Sequence, residues 1–96
     1  MLPKENPEEF YSRFHEQLLN SQEWPGKYLF KFIIRLGEVD EGVLLDLFTG
    51  MDTKIGRKVS SKNTFTSISI TVSMHSPAKV IAIYKQAQSI KGVITL

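Results

Sequence analysis

"KYLFKFIIRL", residues 27–36, alternates without a break: Tyr28, Phe30, Phe32, Ile34 and Leu36 share one side, and Lys27, Leu29, Lys31, Ile33 and Arg35 share the other. Successive side chains of a strand project to opposite faces, so this run predicts a strand with an apolar core face and a half-basic outer face. A second run, "SSKNTFTSISITVSM" (residues 60–74), repeats the pattern. Its Ser and Asn residues bond locally to the backbone and make a turn. Thr66, Ile68, Ile70, Val72 and Met74 then alternate with Phe65, Ser67, Ser69, Thr71 and Ser73, and the β-branched content suits a pleated surface. Residues 53–60 read as a weaker strand in which Gly56 marks a bulge or a close approach.

The helices are bounded by local chemistry. Pro7 suits a first helical turn, with Glu8 and Glu9 at the positive end of the helix dipole. Phe10, Phe14 and Leu18, with Tyr11 and Leu19 beside them, form one apolar stripe on a helix expected over residues 7–22. Residues 1–6 are expected to be a flexible tail. A short helix follows Gly37: Asp40 is its cap, Val39, Val43, Leu47 and Phe48 its apolar side, and Gly50 its stop. Ser76 and Pro77 start a third helix whose Val80, Ile83, Tyr84 and Ala87 face inward, before Gly92 and a final strand over 93–96. The order is an added helix, then β-α-β-β-α-β. Two helices cannot cover both faces of a four-stranded sheet and also shield each other. The expected fold is therefore α+β: a ferredoxin-like plait over residues 26–96, with an antiparallel sheet and two helices on one face.

Ninety-six residues make a single domain. A hydrophobic content of 42% with 23% charged residues describes a globular chain rather than a disordered one. The chain has no cysteine, which removes disulfides, thiolate nucleophiles and zinc–thiolate sites together. Its first ten residues hold no apolar run of signal-peptide length, and no stretch reaches the roughly 20 apolar residues that span a bilayer. A cytoplasmic location without membrane association is the expectation. The net charge of +2 is small, but its distribution is uneven. All ten Asp and Glu fall within the first 52 residues, against five Lys and Arg; the last 44 residues hold seven Lys and Arg and no acid.

From "EWPGKYLFKFIIRLG" (residues 23–37) through "SSKNTFTSISITVSMHSPAKVIAIYKQAQSIKGVITL" (residues 60–96), and most closely over the last 37 residues, the chain resembles the YbeD-like family of small bacterial domains of unknown function. The shared features are the Trp24-Pro25 entry, Gly37 at the end of the strand, the Ser60 to Asn63 turn, the Ser67 to Thr71 strand, Tyr84 on the helix and the C-terminal strand. Asn63 stands where the family pattern has glycine, a mild change because Asn tolerates a left-handed backbone. The resemblance implies a plait related to ligand-sensing ACT-type regulatory domains, and hence a regulatory or interaction module. It supplies no catalytic motif.

The outer sheet face is the candidate site. Strand parity collects Lys27, Lys31, Arg35, Lys54 and Lys58 there, with Lys91 as a sixth candidate, among Ser67, Ser69 and Thr71. Cations beside hydroxyls suit carboxylate or phosphate ligands. Lysines on an open strand also keep it soluble and discourage edge pairing, which is their ordinary role. The helix stripe of Phe10, Phe14 and Leu18 must also be buried, either over Leu29 and Ile33 on that same face or on a neighbouring subunit; contacts within the chain cost less ordering entropy.

His15 and His75 lack paired carboxylates at ligand spacing, and no serine sits in a nucleophile elbow, so neither a metal nor a cofactor is expected. The expected function is non-enzymatic: a module that binds a partner protein or a small anionic metabolite through the basic face, with weak homo-oligomerisation. The alternatives are a nucleic-acid-binding plait, for which the face offers only Phe65 as a stacking aromatic, and more remotely a phosphate-handling enzyme built on Arg35 and Asn63.

Overall fold

A computed structural model of the chain describes residues 6–35 and 37–95; residues 1–5 of the tail expected over 1–6, Leu36 of the apolar face and the terminal Leu96 lie outside these. Among the described residues eight segments of secondary structure follow one another: α1 (Pro7–Ser21), β1 (Gly26–Arg35), α2 (Glu41–Leu45) with a 3-10 turn (Asp46–Phe48), β2 (Thr53–Val59), β3 (Phe65–Met74), α3 (Pro77–Gln88) and β4 (Val93–Thr95). The strands form one antiparallel sheet in the order β2-β3-β1-β4.

Local chemistry sets the boundaries. Asn6, which the sequence places in the tail, is the N-cap of α1: its side-chain oxygen accepts from the Glu9 amide at 2.8 Å. Asp40 caps α2 by accepting from the Gly42 amide at 2.9 Å, and Ser76 caps α3 by accepting from the Lys79 amide at 3.4 Å. In the β2–β3 turn the Ser60 hydroxyl oxygen accepts from the Thr64 and Phe65 amides, both at 3.1 Å, and Asn63 takes a left-handed φ of 55°. These local bonds close the hairpin and fix the register that follows.

The core forms between the even-numbered positions of β1 and β3 and the helices. Phe30, Phe32, Ile68, Ile70, Leu44 and Val80 are fully buried, joined by Phe48, Ile83, Tyr84 and Ala87. Phe30 and Phe32 meet Phe48 and Tyr84 at ring-centroid distances of 5.2 to 6.5 Å. Each such side chain contributes about 1.5–3 kcal/mol on leaving water, so this one layer outweighs any single polar contact in the chain. In α2 the buried residue is Leu44, not Val43, which is 46% exposed. The buried residues Leu44 and Phe48 lie four apart, so the stripe that faces the sheet is offset by one residue from Val43.

Gly56 forms no bulge. The β2–β3 register runs without interruption through Gly56 opposite Ser69, and a Cβ at this position would meet only the Ser69 Cβ, at 3.9 Å. β2 borders β3 on one side only and is exposed along nearly its whole length. Arg57 projects from it toward the helix side and pairs with Glu41 at the start of α2.

The added helix packs on the core side, not over the outer sheet face. Leu18 is buried, the Phe14 ring packs at a tilt 5.7 Å from that of Tyr84, and the Tyr11 hydroxyl donates to Gln88 at 2.8 Å. Trp24 is held beside it, donating from Nε1 to the Leu18 carbonyl at 2.9 Å. Leu29 and Ile33, expected to receive this helix, instead belong to a face it leaves open: Leu29 is 49% exposed and Ile33 is half-buried.

Candidate functional site

The pairing register assembles the outer face row by row. Lys27 lies opposite Ser73, Lys31 opposite Ser69 and Arg35 opposite Phe65. On the other flank of β3, Lys54 lies opposite Thr71 and Lys58 opposite Ser67. Residues directly opposed across antiparallel strands project to the same face, so all five predicted cations share one surface, opposite the helices. Lys91 does not join them; it lies in the turn before β4, outside the paired strands.

Along each strand the cations recur every fourth residue. Four residues at roughly 3.3 Å each set them about 13 Å apart, beyond the Debye length of about 8 Å at physiological salt. Five like charges can therefore share the face at little cost to stability. The intervening positions differ by strand: apolar Leu29 and Ile33 on β1, hydroxyls on β3, and Gly56 on β2.

The cations are not equivalent. Arg35 lies 3.6 Å from the Glu38 carboxylate, and its guanidinium sits 5.4 Å from the Phe65 ring centroid, so part of its donor capacity is used within the chain. Among the described residues Lys27, Lys31, Lys54 and Lys58 form no ion pair.

Two depressions mark opposite corners of the face. The first, of about 320 Å³, is lined by Lys27, Lys54, Thr71 and Ser73 together with Asp52, whose carboxylate offsets the two lysines. The second, of about 450 Å³, is lined by Lys58, Ser60, Ser61 and Ser67 and by the apolar residues Ile33, Phe65, Val59 and Ile94, of which Ile33, Phe65 and Ile94 project to this face. No acid lines the second. Ile94 was not legible as a site residue, because only the three-residue pairing of β4 with β1 brings it beside Ile33.

Other chemistry is sparse. No group of three or more His, Cys, Asp or Glu side chains converges among the described residues. His15 lies on α1 and His75 in the bend before α3. No helix among the described residues is long and apolar enough to cross a membrane. On the helix side, the Tyr28 and Tyr84 hydroxyls lie 3.0 Å apart. Burial, followed by that hydroxyl contact, pushes the Tyr84 phenol well above its usual range. Among known proteins the chain matches no family model, no curated protein and no solved structure, so the chemistry of this face carries the functional reading.

Proposed function

We propose that the chain is a non-enzymatic regulatory or adaptor module that binds an anionic partner, an acidic protein surface or a small anionic metabolite, through the open sheet face. The observation behind this reading is the shared face of Lys27, Lys31, Arg35, Lys54 and Lys58 with the β3 hydroxyls between them and no acid in the strands themselves. Both groups offer donors to oxyanions. The strand order β2-β3-β1-β4 supports reading the architecture as a ferredoxin-like plait with an added N-terminal helix, the fold the YbeD-like resemblance implies. Spacing favours an extended partner over most of the face. Gathering two lysines about 13 Å apart onto one small ion would freeze both side chains, at up to about 2 kcal/mol each. A small anion fits best where one lysine already has hydroxyl neighbours.

The test replaces Lys31, Arg35 and Lys58 with glutamate and measures binding of polyglutamate by calorimetry. The wild type should bind with an affinity that falls as salt rises, and the variant should bind at least about tenfold more weakly. Equal binding by both proteins would remove this face as the site. Duplex DNA serves as the comparison: tighter binding to DNA than to polyglutamate, with a log–log salt slope near −0.9 per phosphate contact, would favour the nucleic-acid reading instead.

A further inference from the structure

Three features of the surface invite a ligand. The aromatic cleft between α1 and α3, of about 270 Å³, is lined by Phe10, Tyr11, Phe14, Tyr28 and Tyr84. Its rings already pack on one another and its tyrosine hydroxyls are already engaged, so it offers little unmet chemistry. The corner at Lys27 and Lys54 carries Asp52, which works against an anion. The corner at Lys58 has neither drawback.

There, one lateral row crosses the whole sheet. Lys58 on β2 lies opposite Ser67 on β3, Ser67 opposite Ile33 on β1, and Ile33 opposite Ile94 on β4. The row passes from a cation through a hydroxyl to two aliphatic side chains. It covers three interstrand spacings, about 14 Å at roughly 4.8 Å each. Phe65 and Val59 line the same depression, with Ser60 and Ser61, next to Lys58 in sequence, also in its lining. Ile94 is 52% exposed, a large aliphatic surface held in water beside an apolar neighbour.

The geometry points to a binding site for an amphipathic carboxylate, with its headgroup at Lys58 and Ser67 and its apolar body across Ile33 and Ile94. This rests on the reading of the open face as an anion-binding surface and names the class of small ligand that one corner of it takes. The polarity of the row sets the orientation: a carboxylate gains charge-assisted bonds only at the β2 end, and an apolar chain leaves water only at the β4 end. A second copy of the chain does not fit the same place face to face, because symmetry would set five cations against five. The depression falls within the range of about 300–1,000 Å³ usual for small-molecule sites.

The experiment titrates the full chain with decanoate below its micellar concentration and follows backbone amide shifts by NMR. Saturable shifts centred on Ile33, Lys58, Ser67 and Ile94 are expected. Lys58→Glu and Ile94→Asp, both at exposed positions that spare the core, should each weaken binding by at least about tenfold. Decanol, which lacks the charge, and acetate, which lacks the chain, should each bind at least about tenfold more weakly than decanoate. Shifts centred elsewhere, decanol binding as tightly as decanoate, or indifference to both variants would overturn the site. A dimer in sedimentation that Ile94→Asp dissolves and decanoate leaves intact would overturn it as well, assigning the apolar end to a second copy. If polyglutamate binds and decanoate does not, this site falls while the wider reading of the face stands. If decanoate binds through Lys58 and polyglutamate does not, the site stands and the extended partner falls.

Discussion

Thr66 is the buried side chain whose hydroxyl finds no partner among the described residues. It lies on the core side of β3, opposite Ile34 on one flank and Val59 on the other. A hydroxyl there leaves water without a replacement bond, whereas valine has the same shape and nothing to satisfy. Thr66→Val should therefore raise stability by about 1 kcal/mol, read as a higher urea midpoint at unchanged slope. A lower midpoint would mean that the hydroxyl has a partner after all. What was legible at this scale was local. Ser60 and Asn63 announce their turn because their bonds reach only a few residues, and Ser76-Pro77 announces a helix for the same reason. Thr66 could be placed on the core face by alternation, but its missing partner depends on two other strands. Gly56 misled because glycine in a strand usually marks a bulge, and only the register shows that the pairing runs straight through it.

At the scale of elements, α1 separates what periodicity can say from what it cannot. The spacing of Phe10, Phe14 and Leu18 identifies a helix with one apolar side. It does not say which surface that side covers, since Leu29 and Ile33 on one face and Tyr84 on the other are equally apolar targets. The outcome was set by α3, whose Tyr84 meets Phe14, and by Trp24, which locks onto the Leu18 carbonyl. If α1 belongs to the core in this way, Leu18→Ala should cost about 2–4 kcal/mol in chemical denaturation. A cost near zero would mean that the helix rests on the surface. Tyr84 supplies a second test of the same layer. Its folded-state pKa lies above its unfolded value near 10. The folded chain thus holds the proton more tightly, and the stabilisation is complete below pH 10 or so and lost progressively as pH rises past it. Urea midpoints measured at about pH 9 and about pH 11 should fall between the two, and Tyr84→Phe should flatten that decline even though it also lowers the starting stability. A decline of the same steepness in the variant would assign it to other groups.

Across the whole molecule, five cations gather on the outer side of the sheet, and the strands themselves hold no acid. That arrangement was legible because strand parity admits only two solutions, and the fully apolar even positions of residues 27–35 decide between them. The amphipathic row from Lys58 to Ile94 was not legible, because it requires three pairing registers at once. β2 carries a further consequence. Its outer margin offers unsatisfied backbone donors and acceptors to any passing strand, and Ile55 and Val59 add exposed aliphatic surface beside them. Lys54, Arg57 and Lys58 act there as gatekeepers whose mutual repulsion discourages two molecules from zipping together. Neutral substitution of all three with threonine should produce light scattering that grows with protein concentration, whereas glutamate at the same three positions should leave the solution clear. The charges that would greet a ligand therefore also defend the chain against amyloid-like self-templating.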